Sequence, residues 1–268
     1  MLNQQLNLVE LPGAMKILGQ AWFIYKQRLG VFLGIMVIPI LISIIANAGF
    51  VFVLPRVAAI SLELLTLLTI ILFLIVFVSS GWGHVALLYA IKDHQNEIDI
   101  IEAYRWAWPK IISYWWLSFL MMFIIAGGMF LLVIPGTIFI IWFSLGAFIL
   151  VTENLGGMNA LLKSREYIKG RWLAVFWRFF FITFLLSFFV FIFTFIFSAI
   201  PFKEEITQFL MGLFVLPLMM VYGFLIYTNL RALKGEIVFS PTKWQKAIFI
   251  IIGVVGIIGF ILVSLMPL

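Results

Sequence analysis

The chain has 268 residues, of which 65% are hydrophobic and 10% are charged, and its formal net charge is +6. A soluble domain uses about a quarter of its residues as charged groups, so this composition excludes an ordinary water-soluble protein. With no cysteine and only two histidines, the chain also excludes disulfides, thiolate chemistry and cysteine-ligated metals, and it leaves little material for a histidine metal site.

Three amphipathic helices are predicted, at residues 11–28, 98–112 and 156–170, each lying in the membrane interface. The first has apolar residues at helical spacing: Leu11, Met15, Leu18, Trp22 and Tyr25. The second has the corresponding stripe Ile101, Tyr104, Trp108 and Ile111. In the third, the apolar side lies opposite Asn159, Lys163 and Glu166, which predicts that these three side chains are exposed.

Seven apolar segments approach or exceed the length needed to cross about 30 Å of hydrocarbon. They cover approximately 29–54, 60–91, 113–134, 137–152, 172–200, 206–230 and 244–266. Pro39 is expected to kink the first span, Pro55 and Pro201 to lie at turns, and Pro135-Gly136 to form the turn between spans three and four. The predicted fold class is all-α: a polytopic transmembrane helical bundle of three hairpins, each preceded by an interfacial amphipathic helix, plus one span.

The domain prediction is a single membrane domain, 1–268, built from repeat-like units. These units cover about 11–91, 98–152 and 156–230, followed by an extra C-terminal span at 244–266. Each unit joins a basic, aromatic approach segment to two apolar spans with a proline between them. Because the three hairpins share one orientation, we expect an internal symmetry axis along the membrane normal.

The positive charges fall almost entirely on one side of this topology. Only Arg56 and Lys203 of the 17 Lys and Arg residues lie on the other side. The positive-inside rule then predicts a cytoplasmic-membrane protein with its N-terminus in the cytoplasm and its C-terminus outside. Lys26, Arg28 and the sequence at 46–48 also imitate a signal peptide, but the preceding amphipathic helix recurs downstream, which favours a retained first span.

The basic residues flank apolar spans and alternate with tryptophan and tyrosine, a pattern typical of contact with lipid headgroups and not with nucleic acid. The partners predicted are therefore membrane lipids, particularly anionic headgroups, with a homo-oligomer or another membrane protein as a further class. The leading headgroup contacts are the cations of the third amphipathic helix and the entry to span five: Lys163, Arg165, Lys169 and Arg171.

Three polar residues within the spans are candidates because such residues are costly in hydrocarbon. Arg178 has two interpretations, a phosphate or carboxylate contact within the bundle or a side chain that snorkels to the nearby interface, and its position favours the second. His84 is either a proton relay or, more commonly for a lone histidine, a hydrogen-bonded packing residue. Asn47 is a candidate donor to a neighbouring helix.

Glycines and prolines supply the only signs of helix breaks or close packing. Pro39 and Gly127-Gly128 are the breaks that a transporter would need. Gly253, Gly256 and Gly259 recur at every third residue, which predicts a spiral around span seven and no single packing face.

Enzyme motifs do not match this sequence, which lacks H-E-x-x-H, a P-loop, G-x-S-x-G and metal-spaced histidines. Asp93, Glu97, Asp99 and Glu102 could bind a cation, but acids around the first turn of a solvated helix explain them more simply. We therefore predict no catalytic, cofactor-binding or metal residues and no enzyme activity. The functional hypotheses are the handling of a lipid or small solute in the bilayer, a membrane scaffold or assembly partner and, third, a lipid-metabolism enzyme.

Residues 133–172 carry a family resemblance. The motifs are the Pro135-Gly136 turn, the acid Glu153 after span four, and Gly170-Arg171-Trp172 at the entry to span five. Together they resemble the membrane domain that precedes the catalytic part of some glycerophosphodiester phosphodiesterases in prokaryotes, and that also occurs alone. The resemblance implies a stand-alone membrane domain without hydrolase activity, because that family's activity resides in a soluble domain that this sequence lacks.

Overall fold

The computed structural model describes residues 10–58, 61–96, 98–196, 203–237 and 239–265, and every regular element within them is helical. The α-helices, in chain order, are α1 (Ala14–Gln27), α2 (Leu29–Ala48), α3 (Leu54–Ala58), α4 (Leu62–Lys92), α5 (Ile100–Ala107), α6 (Ile111–Leu131), α7 (Val133–Phe143), α8 (Gly146–Thr152), α9 (Gly157–Ile168), α10 (Trp172–Ile196), α11 (Lys203–Leu210), α12 (Leu216–Lys234) and α13 (Lys243–Ser264). A 3₁₀ turn (Trp108–Lys110) joins α5 to α6, and π-helical turns lie at Gly49–Val53 and Met211–Val215.

Seven helical segments in this part of the chain are long and apolar enough to span a membrane. They are Leu29–Val57, Leu62–Lys92, Ile100–Leu131, Val133–Thr152, Trp172–Ile196, Ile206–Lys234 and Lys243–Ser264. The predicted all-α, seven-span fold class is therefore confirmed, and the chain is a multi-pass membrane protein. The third span begins at Ile100, because the predicted interfacial helix continues through the 3₁₀ turn into α6.

The chain forms two compact units, each discontinuous in sequence. Unit 1 comprises Met1–Ala21, Ile112–Leu185 and Val221–Leu268, and unit 2 comprises Trp22–Ile111 and Leu186–Met220. These units cut across the three repeat-like units expected from the sequence, which remain a prediction. The third of the repeated prolines, Pro201, lies outside the described residues.

In unit 2, Pro39 lies inside the long helix α2 without ending it. Proline has no N–H, so the carbonyl four residues earlier, that of Ile35, loses its helical donor. The buried hydroxyl of Tyr104 replaces that donor and bonds to the Ile35 carbonyl at 2.7 Å. Gly83 of α4 packs directly on the proline ring, since an added Cβ there would lie 2.7 Å from Pro39 Cγ.

Both π-helical turns immediately precede a Leu-Pro pair, within the repeated tetrapeptides Phe52-Val53-Leu54-Pro55 and Phe214-Val215-Leu216-Pro217. A proline ring clashes with the carbonyl four residues before it, and a turn widened by one residue separates the two. The prediction that Pro55 lies at a chain turn is therefore wrong, because the helix widens and then continues past it in α3.

In unit 1, the break between spans three and four lies at Leu132, which is extended (φ −163°, ψ 142°), and not at Pro135-Gly136 as predicted. Pro135 occupies the third position of α7, where the N–H would have no helical acceptor, so proline is tolerated there. Span four is itself interrupted between the end of α7 and the start of α8. The fully buried Ser164 hydroxyl bridges it, accepting from the Leu145 N–H at 3.2 Å and donating to the Trp142 carbonyl at 2.6 Å.

The glycines of α6 and α13 form a close helix crossing in unit 1. A Cβ on Gly127 would overlap the carbonyl oxygen of Ile252, and one on Gly256 would overlap that of Phe123. The expected spiral of α13 glycines is wrong, because residues three apart differ by only about 60° in direction and share a broad face. Gly127 also lies within the continuous α6, so the helix break expected there is absent.

The buried faces of the first two amphipathic helices match the predicted stripes only in part. Of the second predicted stripe, Tyr104 and Ile111 are buried, together with Ala103 and Ala107, while Ile101 and Trp108 are exposed. In α1, Met15 and Trp22 are likewise exposed, and the buried residues are Ile17, Ala21 and Tyr25. The small residues Ala21, Ala103 and Ala107 face protein, where they let backbones approach closely, whereas several large apolar residues of the same helices are exposed.

Candidate functional site

Unit 2 contains a cleft of about 330 Å³ between α2, α4 and the start of span six. Five polar side chains line it: Ser43, Asn47, Ser80, His84 and Gln208. The remaining lining residues are apolar or glycine: Met36, Pro39, Ile40, Ile44, Phe209, Gly212 and Leu216. We call this feature the polar cleft.

Helical spacing explains why these side chains converge. Ser43 and Asn47 are four residues apart on α2, and Ser80 and His84 are four apart on α4, so each pair occupies one helix face. Gly212, within the π-helical turn of span six, comes close to α2, since an added Cβ would lie 3.4 Å from Ile40 Cδ1. The third helix can therefore complete the cleft wall.

The polar cleft extends to hydrocarbon depth. Ser43 is the central residue of the span Leu29–Val57. At a rise of 1.5 Å per residue, Asn47 lies about 6 Å from that centre, while Ser80 and His84 lie within about 11 Å of the middle of their own span. The hydrocarbon half-thickness is about 15 Å, so these four residues fall within the apolar layer.

Hydrogen bonds orient two of the polar groups. The Ser43 hydroxyl donates to the Pro39 carbonyl at 2.8 Å, which directs its oxygen lone pairs away from the backbone. His84 Nδ1 lies 2.7 Å from the Ser80 carbonyl, so Nδ1 carries a proton that it donates to that oxygen. In the neutral ring the lone pair is then on Nε2.

The structure thus brings two of the three predicted intramembrane candidates, Asn47 and His84, into one cleft. Arg178 belongs to unit 1 and has a different environment. Its guanidinium donates to the carbonyls of Leu11 (2.7 Å) and Pro12 (2.9 Å). The backbone carbonyl of Arg178 accepts from the Tyr222 hydroxyl at 3.1 Å. Arg178 therefore fixes the segment before α1, a contact that neither sequence interpretation included.

Lys163 is buried, which corrects its predicted role as a headgroup contact. Its ammonium forms an ion pair with Glu153, and the exposed fractions of the two side chains are only 8% and 5%. The other carboxylate oxygen accepts from the hydroxyls of Tyr227 (2.8 Å) and Tyr167 (3.0 Å). The polar side of α9 faces protein here, because an acid ten residues earlier supplies the counter-charge.

Glu153 is held ionised within this cluster. Burial opposes ionisation, but hydrogen bonds from Lys163, Tyr227 and Tyr167 together outweigh it and hold the pKa of the Glu153 carboxyl below its ordinary value. For Tyr167, burial and the adjacent carboxylate raise the pKa to about 12. The cluster thus contains a carboxylate, an ammonium and neutral hydroxyl donors, an arrangement that satisfies charge and does not prepare a nucleophile.

The other predicted headgroup contacts are placed differently from one another. Arg165 stacks over the ring of Trp142, with its Cζ 4.7 Å from the ring centroid. Lys169 is exposed and lies 3.8 Å from Glu166 Oε2, and Arg171 is half-buried at the entry to α10. Of the four predicted contacts, Lys169 and Arg171 can therefore reach a headgroup without giving up the internal contacts that Lys163 and Arg165 make.

Unit 1 has a second cavity, of about 280 Å³, at the start of α9. Its lining includes Ser113, Trp116, Asn159 and Lys246.

The structure describes only part of the acidic run that was predicted to begin a helix. Asp99 accepts from the Ile100 N–H at 2.6 Å, whereas Glu97 lies outside the described residues. Within the described ranges, no three histidine or acidic residues are grouped to hold a metal ion.

Comparisons of the chain with family models, with curated protein sequences and with solved structures found no match. The resemblance of 133–172 to the phosphodiesterase-associated membrane domain therefore stays a prediction. The motif residues have structural contacts in unit 1: Glu153 pairs with Lys163, Gly136 packs on Met129, and Trp172 Nε1 donates to the Ile138 carbonyl at 3.4 Å.

Sequence reasoning named Asn47 and His84 singly and did not connect them. The available signal was that each follows a serine by four residues in an otherwise apolar span, which places two polar groups on one helix face. Gln208 was not identified, because it lies near the polar start of span six, where a glutamine is unremarkable.

Proposed function

We propose that this multi-pass protein is a non-enzymatic protein of the cytoplasmic membrane that binds a lipid or small solute within the bilayer. The N-terminus is cytoplasmic and the C-terminus is outside in this proposal, as the distribution of positive charge indicates. The observation that carries it is the polar cleft, whose polar side chains extend to hydrocarbon depth. Polar groups facing hydrocarbon without partners are costly, so an occupant that covers them stabilises the protein.

Anionic headgroups remain the proposed interfacial partners, with Lys169 and Arg171 as their contacts. Each such cation contributes about 1 kcal/mol near an anionic surface. Lys163 is no longer included, because its charge is already neutralised internally.

The cleft hypothesis is tested by filling the cleft. Ser80→Phe places a ring between α2 and α4, and Thr66→Phe introduces the same ring at an exposed site on the same helix. Each protein is purified in a mild detergent, and the molecules it retains are compared with the total membrane extract by mass spectrometry. We expect one chemical class to be enriched in the wild type and in Thr66→Phe but depleted about tenfold in Ser80→Phe. Identical retained molecules in all three proteins would contradict the proposal.

A further inference from the structure

We infer that the polar cleft takes an uncharged, hydroxyl-bearing lipid, a class that includes mono- and diacylglycerols, in preference to a phospholipid. This inference rests on the proposed function, because it names the chemical class of the occupant of the same cleft. It follows from three properties of the cleft wall: its charge, its hydrogen-bonding groups and its volume.

The charge of the wall comes first. No lysine, arginine, aspartate or glutamate is among the residues that line the cleft in the described part of the chain. A phosphate group at this depth would enter an apolar layer without a permanently charged counter-ion, and an unpaired buried charge costs far more than a hydrogen-bonded hydroxyl. Where unit 1 does bury a charge, at Glu153, a lysine pairs with it. The polar cleft has no equivalent arrangement.

The hydrogen-bonding groups come second. Asn47 and Gln208 each present an amide donor and a carbonyl acceptor, and among the described residues neither side chain has a hydrogen-bond partner. Ser43 has its proton committed to the Pro39 carbonyl, so its oxygen acts toward an occupant as an acceptor. A wall of mixed donors and acceptors matches hydroxyls, which both donate and accept. A phosphate ester, which only accepts when ionised, leaves the acceptors of this wall unmatched.

Volume and apolar lining come third. A cleft of about 330 Å³ corresponds to roughly eleven water-sized volumes, at about 30 Å³ each. That space accommodates a glycerol group and the first methylenes of an acyl chain, with the rest of the chain in the surrounding lipid. Ile40, Ile44 and Phe209 supply the apolar surface that the methylenes would contact. A small hydrophilic solute would leave this part of the wall uncovered.

The experiment uses the full chain in phosphatidylcholine nanodiscs with a photoreactive diacylglycerol whose diazirine is on an acyl chain. Labelled peptides are identified by mass spectrometry, and labelling is competed with dioleoylglycerol or with dioleoyl phosphatidic acid, which differ only in the phosphate. We expect labelling of the cleft-lining stretches of α2 and of span six, and competition by dioleoylglycerol at concentrations at least tenfold lower than by phosphatidic acid.

Two variants test the hydrogen-bonding groups. Asn47→Leu removes the amide at similar size, and we expect cleft labelling to fall about threefold to tenfold, the range for a net contribution near 1 kcal/mol. Thr66→Val, a polar-to-apolar change at an exposed site on α4, should leave labelling unchanged. If Asn47→Leu fails to fold, as judged by size-exclusion chromatography, Gln208→Leu at the start of span six replaces it.

The outcomes separate this inference from the proposed function. Competition by phosphatidic acid at the same or lower concentration overturns the inference and leaves lipid binding standing. Labelling that Asn47→Leu and Thr66→Val both leave unchanged also overturns it, since apolar walls alone would then hold the lipid. Absence of labelled peptides from the cleft, together with no class enriched in the retained molecules, overturns both.

Discussion

At the scale of single residues, the pair Glu153 and Lys163 shows how a membrane protein buries charge at the edge of its apolar layer. Each group has a cost of desolvation that its partner offsets in large part, and removing one partner leaves the charge of the other uncompensated. The tyrosine hydroxyls of Tyr167 and Tyr227 occupy the remaining carboxylate oxygen. The stability contributed by the pair therefore depends on both members being present.

Glu153→Gln retains an oxygen that accepts from the tyrosines but removes the charge, so Lys163 is left buried without a counter-ion. We expect it to destabilise the protein by about 3–5 kcal/mol, and Lys163→Met to do the same. The double variant should recover much of this loss, giving a coupling energy well above 1 kcal/mol. Thermal unfolding in detergent measures these values. Lys169→Met, which breaks the exposed pair with Glu166, is the control and should change stability by less than about 1 kcal/mol.

The same pair predicts a pH dependence with a definite sign. Because the pKa of Glu153 is lower in the folded protein than in the unfolded chain, its stabilising effect is present above the ordinary glutamate pKa of about 4.3. The effect is lost as pH falls through the folded-state value. We expect the wild-type melting temperature to fall more steeply below pH 4.3 than that of Glu153→Gln. Parallel curves between pH 7 and pH 3 would contradict this assignment.

At the scale of helices, the crossing of α6 and α13 depends on the absence of side chains. Both Gly127 and Gly256 face a carbonyl oxygen so closely that a Cβ would overlap it. Without a hydrophobic driving force between helices in lipid, such close backbone approach is a main source of association. Within unit 1, the seventh span thus packs onto α6 through its glycine face.

Gly256→Leu should separate α13 from α6, because the side chain and the Phe123 carbonyl cannot occupy the same space. We expect a loss of at least about 2 kcal/mol in stability, in the range of severe overpacking. Faster proteolysis after residue 236 in nanodiscs provides the second readout. Gly30→Leu is the matched control, since no atom lies within 4 Å of the added Cβ there. Similar losses in both variants would contradict the proposed role of the crossing.

The element scale also shows what sequence patterns could and could not predict. The seven spans followed from length and hydropathy, which depend only on the chain's own residues. The buried faces did not, because in lipid both faces of a helix are apolar: Ile101 is exposed, while Ala103 and Ala107 of the same helix are buried. Lys163 was misplaced because helical periodicity cannot detect an acid on another helix.

At the scale of the whole molecule, the polar cleft depends on which faces of three spans meet. Only the tertiary structure shows this. The pairs Ser43/Asn47 and Ser80/His84 were visible as four-residue spacings, but nothing in the sequence indicated that both faces point into one cleft. Conversely, the repeated Phe-Val-Leu-Pro could have indicated the two π-helical turns, since each places a proline where an ordinary turn would clash. The sequence alone can thus predict a local feature such as a π-helical turn, but it cannot predict that side chains of different helices meet in one cleft.

Whole-molecule topology gives the last prediction. In the proposed topology all seven spans cross the membrane, so the termini lie on opposite sides, and the excess of lysine and arginine on one side predicts which side is cytoplasmic. A fluorescent protein that folds only in the cytoplasm and a phosphatase active only outside are each fused after Glu236 and, separately, after the C-terminus. We expect fluorescence from the first site and phosphatase activity from the second, since α13 is the only described span between them. Fluorescence at both sites would mean that α13 does not cross the membrane. The reversed pattern at both sites would contradict the orientation and leave the span count intact.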